Sequence, residues 1–150
     1  MKAITLILLV FNLSCVSKKN NTIAQTNTDQ HSFTLPKIVF ESNSRGFFHS
    51  ITIENGTITS SKIRGEKGSQ FQLSSDEMKT IQMELEKIEF VKIPTLEAPS
   101  EKRFYDAAPI TYLEIIEKDK SYKTPEFDGG YPPKYIQKLV LTILAIVEKK

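Results

Sequence analysis

The dipeptide Asn55-Gly56 constrains the fold of this chain more than any other pair of residues. It stands between two runs that alternate apolar and polar residues, Ser-Ile-Thr-Ile-Glu before it and Thr-Ile-Thr after it. Asn-Gly favours a two-residue turn with positive φ at both positions, and such a turn joins two antiparallel strands. The pattern therefore predicts a β-hairpin with Ile51, Ile53 and Ile58 on one apolar face.

Segments on both sides of the hairpin extend this prediction. Residues 37–41 and 69–73 alternate in the same way, which predicts the outer strands of a four-stranded meander. Ser74 followed by Glu77 is typical of a capping box at a helix start. Apolar residues then recur at helical spacing, so we expect an amphipathic helix that ends near Glu89. Its predicted inner face consists of Met78, Ile81, Leu85 and Ile88.

The second half of the chain predicts two more strands and a closing helix. Residues 110–116 include apolar side chains at both odd and even positions, so both faces of a strand here would be apolar. This favours a strand in the interior of the sheet. A turn at residues 118–120 leads to a partner strand over residues 121–124, which Pro125 is expected to end. Pro133 is suited to the first turn of a last helix. That helix has a predicted apolar stripe of Ile136, Leu139, Val140, Ile143, Leu144 and Val147.

These elements together predict an α+β domain. The expected order is β-β-β-β-α-β-β-α, with about six strands in one antiparallel sheet and two helices packed on one of its faces.

The N-terminal residues are typical of an export signal. Residues 1–14 contain one charge, Lys2, followed by an apolar run that is too short to span a bilayer, which takes about 20 residues. The segment Leu13-Ser14-Cys15 resembles the lipobox of bacterial lipoproteins, although Asn12 departs from the aliphatic residue usual at that position. The resemblance implies that Cys15 is lipidated and becomes the mature N-terminus. The alternatives are a simple cleaved secretory signal and a cysteine present by chance.

The residues after Cys15 divide into a tether and one globular domain. Residues 15–35 are mostly polar, which predicts a flexible tether, and residues 36–150 have the length of a single domain. Without residues 1–14 the chain has 19 basic and 18 acidic residues, because Lys2 is the only charge removed. A nearly neutral chain gives no indication of nucleic-acid binding.

The sequence gives little sign of catalysis. It contains no phosphate-binding glycine loop, no metal-ligand motif and no nucleophile elbow, so no catalytic residue, metal or cofactor is predicted. His49 is the one candidate base, if Asp106 or Asp128 orients it. The other interpretation of His49 is an ordinary packed histidine.

Two proline-bounded loops, residues 94–109 and 125–133, form the candidate binding site. Long loops inside compact domains are often functional. The residues predicted to bind a ligand are Arg103, Tyr105, Asp106, Asp128, Gly129 and Tyr131. The alternative is structural: Asp106 caps a turn, Arg103 pairs with Asp128, and the two glycines reverse the chain.

The runs Pro-Ser-Glu-Lys-Arg-Phe-Tyr-Asp and Phe-Asp-Gly-Gly-Tyr-Pro-Pro resemble those of small uncharacterised bacterial lipoproteins. That resemblance implies the same plan of signal, tether and α+β body, with no activity to transfer. We expect a lipid-anchored accessory or binding protein of the cell envelope that faces the periplasm and is not an enzyme. Its partner would be the membrane, through Cys15, and an envelope protein or small ligand. The alternatives are an inhibitor of an exported hydrolase that inserts residues 97–108, and a small envelope hydrolase.

Overall fold

The computed structural model describes residues 34–105 and 107–150. The predicted signal peptide, Cys15 and nearly all of the predicted tether lie outside these residues, and so does Asp106. The predicted lipidation and the predicted division of the chain therefore stay predictions.

The described residues form one antiparallel sheet with two α-helices. The strands are β1 (Lys37–Ser44), β2 (Phe47–Glu54), β3 (Thr57–Ser61), β4 (Ser69–Gln72), β5 (Ile110–Glu117), β6 (Lys120–Lys123) and β7 (Phe127–Asp128). The α-helices are α1 (Ser75–Leu85) and α2 (Gln137–Glu148), and two short 3₁₀ helices cover Phe90–Thr95 and Lys102–Tyr105. The predicted α+β class is confirmed, and β7 is a strand that the sequence did not predict.

The strands lie side by side in the order β4-β3-β2-β1-β5-β6, and β7 also pairs with β5. Strands β1 to β4 form the predicted meander. Within the whole sheet, however, β1 is an interior strand, because it pairs with β5 on its other side. Strand β5 also has neighbours on both sides, as predicted for an interior strand.

The predicted hairpin is present at Asn55-Gly56. Asn55 has φ 50° and Gly56 has φ 75°, the positive values that a two-residue hairpin turn requires. The register pairs Ile53 with Ile58 and places both side chains in the core.

Helix α1 begins with the predicted capping box. The Ser74 hydroxyl accepts from the Glu77 amide at 3.2 Å, and the Glu77 carboxylate accepts from the Ser74 amide at 2.8 Å. The helix ends at Leu85, four residues before the predicted end at Glu89. The chain tightens there, because the amide of Ile88 bonds to the carbonyl of Leu85, and the 3₁₀ helix that contains Pro94 follows.

The core lies between the sheet and the two helices. Inward side chains of alternating strand positions, including Ile38, Ile51 and Leu113, form one buried cluster with Ile81 of α1 and Ile143 of α2. This arrangement agrees with the predicted helices on one face.

Strand β5 is apolar on both faces, but its two faces are buried to different degrees. Thr111, Leu113 and Ile115 are buried on the face that the helices cover. Tyr112 is only half-buried, and Ile110 is 36% exposed, on the other face. The helices cover one face only, so the second apolar set of β5 remains partly accessible.

Helix α2 begins at Gln137, four residues after the predicted start at Pro133. The carbonyl of Pro133 accepts from the amide of Ile136 in a turn, and Ile136 has φ −109° and ψ 0°, outside the helical range. Within α2 the side chains of Leu139, Val140 and Ile143 are buried as predicted, and Ile146 is a buried residue that the stripe omitted.

The segment after Pro125 was predicted to be an irregular loop, and this prediction is wrong for its first part. Thr124 bonds to Leu113 through its amide at 2.9 Å and accepts from the Leu113 amide through its hydroxyl at 3.1 Å. Pro125 cannot donate a hydrogen bond and interrupts the pairing. The chain then pairs with β5 again, with Phe127 opposite Thr111, so β7 continues β6 after a bulge.

Candidate functional site

The candidate site is centred on Asp128, the last residue of β7. Asp128 pairs with Ile110 at the start of β5. Paired residues of adjacent strands point to the same face, so the Asp128 side chain lies on the face of the sheet opposite the helices. It is nevertheless completely buried, at 0% exposure, because the segment from Ser100 to Arg103 covers it.

The Asp128 carboxylate accepts four hydrogen bonds from this segment. The Ser100 hydroxyl and the Lys102 amide donate to Oδ2, the latter at 2.7 Å. The Arg103 amide donates to Oδ1 at 2.9 Å, and Arg103 Nη1 donates to the same oxygen at 3.1 Å. The two amides belong to the first turn of the 3₁₀ helix Lys102–Tyr105, so Asp128 caps that helix from a distant strand. We call Ser100, Lys102, Arg103 and Asp128 the carboxylate clamp.

The Arg103 side chain connects both parts of the clamp. Its Nη1 also donates to the Ser100 carbonyl at 2.8 Å, and the side chain is only 11% exposed. Its Nε is buried and has no hydrogen-bond partner among the described residues. This partly buried guanidinium, paired with the buried Asp128 carboxylate, fixes the two loops relative to each other.

The hydrogen bonds of the clamp determine the charge state of Asp128. Burial alone would raise the pKa of this carboxyl group, because a charged group loses its hydration. Donation from Ser100, from the Arg103 and Lys102 amides and from the Arg103 guanidinium outweighs that effect and lowers the pKa of Asp128 from 3.8 to about 2. Asp128 is therefore an ionised structural acceptor at neutral pH, and its low pKa does not suit a general acid or base.

Gly129 lets the chain pass close to the start of β5. Its amide donates to the Pro109 carbonyl at 2.8 Å. A Cβ atom at Gly129 would lie 3.1 to 3.2 Å from the Pro109 ring, closer than ordinary contact. Gly129 therefore contributes close packing beside the clamp.

Aromatic side chains are exposed next to the clamp. Phe104 is 66% exposed and Tyr105 is 80% exposed, although they are the next two residues after the partly buried Arg103. Tyr131, at 48% exposure, lies under the ammonium group of Lys102, which is 4.0 Å from the ring centroid. We call Phe104, Tyr105 and Tyr131 the aromatic platform.

The structure thus brings together most of the residues that the sequence singled out. Arg103 and Asp128 pair within the clamp, as the structural alternative stated. Tyr105 and Tyr131 are exposed beside the clamp, whereas Asp106 lies outside the described residues. Ser100 was missed, because nothing in the local sequence indicates which residues a distant carboxylate will bind. Phe104 was missed, because the sequence does not indicate that its ring is exposed.

His49 is in a different environment from the clamp. Its Nε2 lies 3.1 Å from Ser60 Oγ, and its ring meets Phe40 edge to face. His49 has the strand parity of the buried Ile51, so it lies on the helix side of the sheet, opposite Asp128. Asp128 therefore does not orient His49, so the condition on which His49 would serve as a base is not met by this residue. Partial burial, followed by the charge of Lys62, lowers the pKa of His49 from its ordinary value.

The part of the chain that the structure describes has neither a cluster of metal-ligand side chains nor a membrane-spanning helix. Residues 34–105 and 107–150 include no group of three side chains of the His, Cys, Asp or Glu type that could hold a metal ion. None of the helices in these residues is long and apolar enough to cross a bilayer.

No family model, curated protein or solved structure matches this chain. The resemblance to bacterial lipoproteins stays a prediction, and function has to be inferred from the site itself.

Proposed function

We propose that this protein is a lipid-anchored binding protein of the cell envelope, without catalytic activity, and that it captures a partner protein through the aromatic platform. The sequence around Cys15 and the polar residues that follow it support the anchor. The clamp and the exposed aromatic side chains beside it support the binding surface.

One observation carries the proposal: two neighbouring aromatic side chains are exposed on a segment that the chain holds rigidly. Phe104 and Tyr105 follow Arg103, whose amide and guanidinium are both bound to the buried Asp128. Aromatic residues and arginine dominate the binding energy of many protein interfaces. A segment that is already ordered loses little conformational entropy when it binds. The platform therefore combines suitable side chains with a preorganised backbone.

The position of the platform also suits this function. The chain enters β1 at Lys37. The clamp lies beside the other end of β1, where Asn43 pairs with Ile110. The rise of a strand, about 3.3 Å per residue, puts these two ends roughly 20 Å apart. The platform is therefore beside the end of β1 opposite the end at which the chain enters this strand.

A pull-down from detergent-solubilised envelopes tests the binding surface. The double variant Phe104→Ala/Tyr105→Ala removes two exposed rings and leaves the clamp intact. The control Met83→Ala/Leu141→Ala removes two other exposed apolar side chains, 51% and 53% accessible, from the helices. We expect the wild type and the control to enrich the same envelope protein, and the platform variant to lose it. Equal capture by all three proteins would contradict the proposal.

The anchor has a separate test, the variant Cys15→Ser. We expect the wild type to fractionate with membranes at a mass increased by acyl chains, because two or three chains hold a protein stably on a bilayer. The variant should be found in the soluble fraction without the added mass. Membrane fractionation of the variant at an unchanged mass would show that Cys15 is not the anchor.

The alternative is an inhibitor that inserts residues 97–108 into an exported hydrolase. The clamp favours this alternative too, because it presents Phe104 and Tyr105 on a fixed backbone. An inhibitor would lower a hydrolytic activity of the envelope in proportion to its concentration, and Tyr105→Ala would weaken that effect. Capture of a partner without any loss of hydrolytic activity would favour the binding protein.

A further inference from the structure

An open cleft lies at the β3–β4 side of the domain, away from the clamp. It has a volume of about 360 Å³. The connection between β3 and β4 forms one wall, and the C-terminal end of α2 contributes Val147 and Lys150. The cleft is not part of the proposed binding surface.

Three lysines and one glutamate give this cleft a positive balance. Lys62, Lys67 and Lys150 line it together with Glu66. Lys150 is paired with Glu77 of α1 at 3.0 Å. Within residues 34–105 and 107–150, neither Lys62 nor Lys67 has an ion-pair partner. Two ammonium groups are therefore free to attract an anion.

Backbone packing shapes the wall that carries these lysines. A Cβ atom at Gly68 would lie 2.4 Å from the Ser60 carbonyl oxygen, so only glycine allows the connection to approach β3 this closely. Lys67 directly precedes Gly68, and both Lys67 and Ser60 line the cleft. The Ser60 hydroxyl bonds to His49. Phe71 and Ile63 add apolar surface to the same cleft.

We propose that this cleft, the lysine cleft, binds a phosphate group carried by a small molecule. Lysine binds phosphate as a point charge. The hydroxyl of Ser69, which also lines the cleft, supplies a further donor to its oxygens. The apolar side chains Phe71 and Ile63 provide contacts for the rest of such a ligand. This site is independent of the platform and of the proposed function.

An NMR titration of the full-length Cys15→Ser chain with inorganic phosphate and with phenyl phosphate tests the proposal. We expect saturable shifts of the amides of Ser61, Lys67, Gly68 and Ser69, with tighter binding of phenyl phosphate because of its apolar ring. Lys62→Ala/Lys67→Ala should weaken binding about tenfold or more, since two charges are removed from the site.

The matched control is Lys79→Ala/Lys138→Ala, which removes two exposed lysines from the helices outside the cleft. We expect its affinity to stay within about twofold of the starting chain, because these charges are screened by solvent. Equal weakening in both double variants would show general charge attraction and would overturn the proposal. Absence of saturable shifts in the unmodified cleft would overturn it as well.

A flotation assay distinguishes the two sources of phosphate. The same Cys15→Ser chain is mixed with vesicles of phosphatidylglycerol or of phosphatidylcholine. Flotation with phosphatidylglycerol alone, lost in Lys62→Ala/Lys67→Ala, assigns the cleft to lipid headgroups. Binding of phenyl phosphate without flotation assigns it to a soluble phosphate ester.

Discussion

Replacement of Asp128 with asparagine is expected to destabilise the domain by about 3 kcal/mol at pH 7. The asparagine side chain keeps the shape of the carboxylate, but its NH₂ group replaces one of the two oxygens that accept hydrogen bonds from the clamp. It also leaves the guanidinium of Arg103, whose side chain is only 11% exposed, without its counter-charge. Breaking a buried pair by removing one partner typically costs about 3 to 5 kcal/mol. Asparagine retains one acceptor oxygen, so we expect the lower end of that range.

The pH dependence of this effect provides a sharper test. The pKa of Asp128 is lowered in the folded state, from 3.8 to about 2. A lowered pKa means that the ionised carboxylate stabilises the fold fully above about pH 5, and that this contribution falls as the pH drops toward 2. The shift corresponds to about 2 to 3 kcal/mol at neutral pH, of which about 1 kcal/mol is lost by pH 3.

Urea unfolding at pH 7, 5 and 3 measures the difference. Wild type and Asp128→Asn are compared at each pH. The other carboxylates contribute equally to the unfolding free energy of both proteins, so their contribution cancels in the difference. The gap in unfolding free energy should narrow by about 1 kcal/mol between pH 7 and pH 3. Asp119→Asn, in the exposed turn between β5 and β6, serves as the control and should change stability by less than about 0.5 kcal/mol. A gap that is below 1 kcal/mol at pH 7, or that stays constant with pH, would refute the role assigned to the clamp.

Three further substitutions test other parts of the fold. Gly68→Ala should lower the unfolding free energy by about 1 to 3 kcal/mol, because the new methyl group meets the Ser60 carbonyl, whereas Gly46→Ala, in open space, should not show this loss. Ser74→Ala removes the cap of α1 and should cost about 1 kcal/mol in urea unfolding; no change would mean that the capping box contributes nothing. Ile143→Ala should cost about 2 to 5 kcal/mol in the same assay, because its side chain is fully buried, and a smaller loss would contradict its place in the core.

The elements that the sequence predicted well are those with local causes. Asn55-Gly56 determines its turn through backbone preferences of the two residues themselves. The capping box depends on Ser74 and Glu77, which are three residues apart. The sequence failed where distant residues decide the structure. Strand β7 has two residues and is defined only by its pairing with Ile110 and Thr111, so the run after Pro125 has no strand pattern of its own.

The sequence indicated which residues belong to the site, but not how they are arranged in space. The two proline-bounded loops did indicate Arg103 and Asp128 as possible partners. The burial of Asp128 follows from the path of residues 100–103 over the sheet, and no pattern in that segment indicates this path. The 3₁₀ helix Lys102–Tyr105 was also not predicted, because the distant Asp128 supplies its cap.

The interruption between β6 and β7 breaks one outer border of the sheet. An uninterrupted outer strand is a template for sheet extension, and charged residues, proline and bulges prevent it. This border carries Lys120, Lys123 and Pro125, and the opposite border is the four-residue strand β4. If the chain is anchored through Cys15, its copies would be concentrated in two dimensions. Borders of this kind would then let neighbouring copies crowd together without joining edge to edge into aggregates.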